Sequence, residues 1–327
     1  MEITYYPIKF YCFEDGIFVI GTSKEHSDLV GSKLVAIDGV SSNDIINIIK
    51  PYIQRENEHE IPYAIPFQLN AAELLFYMKI AKSLKEATFS FEKDGQKMDK
   101  RMTSIDGDQW FGQYIIPANK ALGDESSGRL VYMFSNNYAR PHVKNREDYW
   151  YDTIPQKNTL YFQYNSCWDQ QERPTVKATI EAISSLMKSK PEYKLVIDLR
   201  QNAGGEPAYL KPLVDWINSD VSFENNKAIV LTGVRTFSAA LTNACQLKQT
   251  GRCILIGQYP RGKPNSPSEG RYFRLKGVKM RISLSTQQLN RYPQLGDSPV
   301  LPLDIVVPLN FSDWKDDIDK TFIEATK

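Results

Sequence analysis

From residue 159 onward the sequence alternates short apolar runs with amphipathic stretches, a rhythm that leaves room for little but a parallel sheet with crossover helices. TLYFQY (159–164), KLVIDL (194–199), AIVL (228–231) and CILI (253–256) read as strands. KLVIDL is near-continuously apolar, the kind of strand buried on both faces of a sheet. Between them, 175–188, 207–218 and 238–248 read as helices, the first with Pro174 in its opening turn. Strands alternating with helices imply right-handed crossovers and a mainly parallel sheet. Beyond them, 271–275 and 279–285 suggest a hairpin, and 313–325 a closing helix.

The first 95 or so residues have a different character. Segments 8–13 and 17–21 read as strands around the turn Glu14-Asp15-Gly16, and 27–30 as a helical turn. Segment 33–37 is a strand closed by Asp38-Gly39, a strong turn signal. Isoleucines 45, 46, 48, 49 and 53 then suit a helix over 43–53 capped by Ser42 or Asn43. This order of elements, and GSKLVAIDGVSSNDIINII in particular, resembles a PDZ module. Residues 54–86 read as an insertion, polar over 55–60 and helical over about 70–84, before a strand at 88–92. The sequence thus predicts a PDZ-like domain over 1–100 and a second domain over 101–327.

Composition excludes several classes. Of 327 residues, Lys plus Arg number 40 and Asp plus Glu 39, so a net charge of +1 gives no bulk reason to bind nucleic acid. No apolar run approaches the ~18 residues of a membrane helix. Cys12, Cys167, Cys245 and Cys253 form no CxxC pair and read as buried thiols. With His26, His59 and His142 as the other candidate ligands, no metal and no organic cofactor is expected. The opening MEITYYPIKFYC lacks a signal-peptide pattern; if Met1 marks a trimmed start, a cell-envelope location is expected.

Three segments fall at the ends of the core strands. DLRQNAGG (198–205) puts two glycines at a strand-to-helix turn, either a plain loop or a place where backbone N–H groups face an anion. RTFSAA (235–240) sets Ser238 just ahead of a helix, either as its N-cap or as a nucleophile with the next N–H aimed at the same carbonyl. GQYPRGKPN (257–265) holds Lys263 in a stiff turn, either solvated or acting as a base. A lysine base must be neutral near pH 7, against ~10.4 for a solvated one, and this requires desolvation and cationic neighbours.

Together these segments resemble the peptidase core of the carboxyl-terminal processing (tail-specific) protease family, tricorn core included. Lys263 follows Ser238 by 25 positions, the family's spacing of nucleophile and base. The ISLSTQQ strand and the LPLDIVVPL close extend the resemblance. It implies an α/β fold: a crotonase- or Clp-protease-like spiral core of βαβ units with an N-terminal PDZ-like α+β domain. It implies a serine endopeptidase that takes peptide or protein substrates in unstructured segments. By position, Ser238 is the nucleophile, Lys263 the base, and the N–H groups of Ala239 and of Gly204 or Gly205 the oxyanion hole.

Two departures stand out. The glutamine that follows the family's lysine by four is replaced by Pro267, and Gly-Glu by Gly257-Gln258. Some bacterial relatives instead carry a Gly-Asp-x-His-Thr segment upstream of the PDZ-like module. A histidine of that kind would be the base, with Asp297 (in QLGDSP) as its orienter. His26, His59 and His142 read as surface loop residues. The rival implication is a non-catalytic peptide- or small-ligand-binding relative of the same fold.

Overall fold

The computed structural model describes residues 3–108, 110, 131–132, 148–171, 173–277 and 280–327, so His142 lies outside the described residues. The chain divides into two units. One takes Met1–Gln54, Glu60–Arg146 and Pro308–Lys320; the other takes Arg55–His59, Glu147–Val307 and Thr321–Lys327. No helix among the described residues is long and apolar enough to cross a membrane.

In the first unit β1 (Ile8–Phe13), β2 (Gly16–Thr22), β3 (Lys33–Ile37), β4 (Glu86–Lys93) and β5 (Gln96–Thr103) pair antiparallel in that order. Alternation decides which side is dry: Ala87, Phe89 and Phe91 of β4 are buried with Phe10, Leu34 and Ile37, while the residues between them are not. Asp38 and Gly39 turn the chain with φ of 47° and 89°, the positive pair that a tight primed turn requires. Helix α1 (Ser42–Ile49) follows and buries Ile45 and Ile49.

The cap of α1 is Ser41 rather than Ser42 or Asn43; its hydroxyl accepts the Asp44 N–H at 3.1 Å. The helix stops at Ile49 rather than 53. Pro51 cannot donate to an α-helical ladder, and a short 3₁₀ turn, Lys50–Tyr52, replaces it. Helix α2 (Glu60–Gln68), with Pro66 inside it, lies ahead of the helix expected over 70–84, which is itself only α3 (Ala72–Tyr77). Helix α3 ends because Lys79 takes φ of 59°, the Lys79 N–H reaches Phe76 O at 2.9 Å and the Ile80 N–H reaches Leu75 O at 2.8 Å. This is a Schellman closure, normally made with glycine at the left-handed position.

The second unit is built on a six-stranded sheet. β6 (Tyr149–Ile154) is antiparallel to β7 (Thr159–Tyr164), then β8 (Lys194–Asp198), β9 (Ala228–Thr232), β10 (Cys253–Gly257) and the short Ile305–Val306 strand continue in parallel. Helices α4 (Val176–Ser189), α5 (Lys211–Ser219) and α6 (Ala239–Gln249) are the crossovers. Thr175 caps α4, so Pro174 precedes the cap instead of entering the first turn.

The strands add one after another in a single direction, so right-handed crossovers put every helix on one face. Phe162, Ile197, Val230 and Leu255 accordingly pack with Ile180 of α4, Leu213 of α5 and Leu241 of α6. The opposite face, with Tyr161, Val196, Ile229 and Ile256, is covered by Phe322 and Trp150. All of β7 and β9 is buried, which explains their unbroken apolar sequence.

After β10 the chain forms a two-stranded ribbon, β11 (Asn265–Arg274) with β12 (Arg281–Asn290), longer than its sequence signal. The closing helix expected over 313–325 is split into α7 (Phe311–Lys315) and α8 (Lys320–Ala325). Asp317, at φ of 60°, ends α7 while the Ile318 N–H returns to Asp313 O at 2.8 Å. This is a second Schellman closure without glycine.

Candidate active site

The loops after β8, β9 and β10 leave the sheet at the carboxyl ends of adjacent parallel strands, the edge where sites of open α/β sheets gather. The first loop is pinned by Asp198, fully buried at the end of β8. Its carboxylate accepts the Tyr161 hydroxyl at 2.5 Å, the Arg200 N–H at 2.8 Å and the Arg200 guanidinium at 2.6 Å. These charge-assisted hydrogen bonds replace the water lost on burial. Asn202, also fully buried, then ties three strands' ends together. Its amide donates to Tyr164 O (2.9 Å), its side-chain oxygen accepts the Gly204 N–H (2.9 Å), and its carbonyl accepts the Phe237 N–H (3.1 Å).

Ser238 sits at the start of α6 but does not cap it. Its backbone lies at φ 52°, ψ −120°, far from the extended conformation of an N-cap, and its side chain makes no capping bond. A non-glycine residue held there is strained by about 1–3 kcal/mol. The strain turns an exposed hydroxyl away from the helix that would otherwise use it. Behind it Ala239 and Ala240 are buried. The Ala239 N–H, first in the helix, has no intrahelical acceptor.

Gly204 and Gly205 run alongside at φ of 120° and 136°. A Cβ on Gly204 would fall 2.8 Å from Ser238 Cβ and 3.2 Å from Ala239 N. Of these two glycines, Gly204 has its N–H engaged by Asn202, which leaves Gly205 as the donor with capacity to spare.

The third loop reaches the second by its backbone. A Cβ on Gly262 would lie 3.2 Å from the Phe237 ring and 3.3 Å from Leu241, and the Arg261 guanidinium stacks 4.3 Å over Phe237. Arg291 of the segment after β12 bridges them further: it donates to Thr242 Oγ1 (2.9 Å) and to Lys263 O (3.2 Å), while Thr242 Oγ1 donates to Ser238 O (3.3 Å). Lys263 is half-buried and its N–H donates to Glu56 Oε2 at 2.8 Å. The segments carrying Ser238 and Lys263 therefore pack together. Asp297 stands exposed just past Gly296, whose carbonyl accepts Asn265 Nδ2 (2.9 Å). Pro267 is exposed on β11 opposite Gln288.

Residues Arg55–His59, which read as a polar loop of the first domain, belong to the second unit. Asn57 is buried and its amide donates to the carbonyls of Gly262 (2.8 Å), Pro299 (3.1 Å) and Pro260 (3.2 Å). The ring of His59 stacks on Tyr259, 4.7 Å between centroids. His26 is also buried, in the turn Lys24–Leu29. His26 departs from the surface reading given to these histidines; His59 is half-buried. The only sequence cue for Asn57 was a run of polar residues, which says nothing about which unit they join.

Cys167 is the other candidate nucleophile near this edge. Its N–H donates to Gly204 O at 3.0 Å and its carbonyl accepts the Glu206 N–H at 2.9 Å. It is fully buried, and burial pushes its thiol up to about 11, so it is neutral and unreactive near pH 7. Ser238 is the exposed hydroxyl and Cys167 a structural thiol.

No protein-family model and no curated protein matches this sequence. Solved structures do. The structure of mature CPAF complexed with lactacystin aligns over 97% of this chain and 81% of that one, with 13% identity and a TM-score of 0.60. The chain shares its fold with mature CPAF. A serine-to-alanine mutant of CPAF aligns over 97% of this chain and 80% of that one, again with 13% identity, at a TM-score of 0.64. The photosystem II D1 C-terminal processing protease is also matched, with 12% identity over 94% of this chain and 72% of that one, at a TM-score of 0.38. The CPAF likeness runs through both units and is one of backbone architecture, mixed α/β, with few identical residues.

Proposed function

We propose that this chain is a serine peptidase of the carboxyl-terminal processing family that cleaves unstructured peptide segments. The observation that carries the reading is the backbone of Ser238, strained and exposed at the head of a buried helix without capping it. In the proposed mechanism Ser238 Oγ bonds to the scissile carbonyl carbon as its proton passes to a base. The oxyanion is received by the N–H groups of Ala239 and Gly205. Collapse breaks the C–N bond, the departing amine takes the proton from the base, and water repeats the sequence to free the acyl group. Lys263 is the base proposed from this chain's residues; an upstream histidine oriented by Asp297 is the competing assignment.

We read the second unit as a crotonase- or Clp-protease-like spiral, supported by parallel strands that advance one way with their helices on one face. We read the first as PDZ-like, supported by antiparallel strands and an Asp-Gly turn leading into a short helix. Its proposed role is to hold a peptide by strand addition.

The test is covalent labelling of the full chain with a fluorophosphonate, with lactacystin, the molecule in the CPAF complex, as a second probe. The expected adduct is on Ser238 and absent from Ser238→Ala. A native chain that binds peptide but never forms an adduct supports the non-catalytic reading.

A further inference from the structure

The β11–β12 ribbon carries an asymmetry that the peptidase reading does not use. Cross-strand partners share a face of a two-stranded sheet, and faces alternate along each strand. Phe273 pairs with Ile282 and Arg271 with Leu284, and the Leu275 N–H donates to Met280 O at 3.1 Å just beyond the ladder. One face therefore gathers Leu275, Met280, Phe273, Ile282 and Leu284, from 36% to 55% exposed, with Arg271 beside Leu284. The other face pairs Arg274 with Arg281 and Tyr272 with Ser283; the Arg281 guanidinium lies 3.5 Å over the Tyr272 ring.

A contiguous apolar face on an isolated two-stranded ribbon marks an interaction surface. Charge identifies what covers it. Beyond Glu269, the segment 270–285 contains Arg271, Arg274, Lys276 and Arg281 and no acidic residue, in a chain whose net charge is only +1. A second copy meeting this face would bury Arg271, which pairs with Leu284 on it, and would bring two such cationic ribbon ends together with no carboxylate from 270–285 of either. An anionic bilayer surface satisfies both halves of the pattern. Leu, Ile, Met and Phe side chains enter below the headgroups while Arg and Lys stems extend to the phosphates. The unpaired edges of the ribbon stay among hydrated headgroups, where backbone groups keep hydrogen-bond partners.

We infer that the β11–β12 ribbon docks this protein peripherally on anionic lipid membranes.

The experiment is flotation of the full chain with phosphatidylcholine vesicles, with and without phosphatidylglycerol. The expected result is binding to the anionic vesicles alone, weakened by salt. Arg271→Gln should lower partitioning roughly fivefold, and the pair Phe273→Ser with Leu284→Ser should abolish it while circular dichroism stays unchanged. In Phe273→Trp the indole emission should shift to the blue on anionic vesicles. Equal binding to neutral vesicles, no binding to anionic ones, or ribbon variants that bind like the parent would overturn the inference. A self-associating chain made monomeric by the Phe273/Leu284 pair would reassign the ribbon to a second copy. An acidic protein that competes the chain off the vesicles without itself needing Phe273 and Leu284 would leave the lipid assignment standing.

Discussion

A methyl group on Gly204 would sit 2.8 Å from the Cβ of Ser238. The loops after β8 and β9 thus touch through the one residue type that permits it. Gly204 also needs its φ of 120°, which side chains rarely adopt.

Gly204→Ala should therefore displace Ser238 and the Ala239 N–H together. A shift of about 1 Å at a reacting group costs on the order of a hundredfold in rate, so fluorophosphonate labelling should nearly vanish. Stability should fall by about 1–3 kcal/mol from the strained backbone. Labelling at the parent rate in this variant would separate Gly204 from the site.

Ser238→Gly should raise stability by about 1 kcal/mol, because glycine adopts φ 52°, ψ −120° with no Cβ penalty. Ser238→Ala keeps the Cβ and should not. Both should lose labelling. Urea melts of the two variants decide it; equal stability would mean that the conformation of Ser238 stores no strain.

How much of this was legible in the sequence depends on which physics wrote it. The parallel strands were, because burial on both faces demands the unbroken apolar runs of β7 and β9. Two of the misplaced helix ends share one cause. Helices α3 and α7 close in Schellman turns at Lys79 and Asp317, where no glycine announces the left-handed residue. The close approach of Gly204 to Ser238 was readable only as two glycines near a strand end. The role of Asn57 was not readable at all, since its three acceptors lie more than 200 positions away.

Asn57→Ala should loosen the turn that presents Lys263. The carbonyls of Pro260, Gly262 and Pro299 would lose a buried donor, at a cost of about 1–3 kcal/mol for groups left unsatisfied. Asn57→Asp offers acceptors to acceptors and should cost more. Peptide hydrolysis should drop in both variants while Ser238 keeps its backbone, and thermal melts alongside peptide assays check the pairing of the two effects.

Lys263→Ala separates the candidate bases. Glu56 holds the Lys263 backbone N–H rather than its amine, so truncating the side chain leaves that turn anchored. If Lys263 takes the serine proton, hydrolysis should fall by roughly 10²–10⁴-fold, with the melting temperature little changed. Full hydrolysis in Lys263→Ala, with Ser238→Ala dead, would remove Lys263 from the mechanism and leave a histidine base.

The buried thiols contribute to the loss of stability at alkaline pH. Burial raises Cys167 to about 11 and Cys245 and Cys253 to about 12, against 9.0 for an open thiol. Below pH 9 both native and unfolded chains keep these protons, and the stabilisation is fully present. As pH rises past 9 the unfolded chain releases protons that the native chain retains. The unfolded state then binds fewer protons, and stability must fall with rising pH by up to about 1.4 kcal/mol per pH unit for each thiol. Urea unfolding across the range from about 8 to 11 should show this decline, and Cys253→Ala should make it shallower. At neutral pH Cys167 should resist iodoacetamide in the native chain while Ser238 reacts with a fluorophosphonate. Rapid alkylation of Cys167 with loss of hydrolysis would move the nucleophile from the serine to the cysteine.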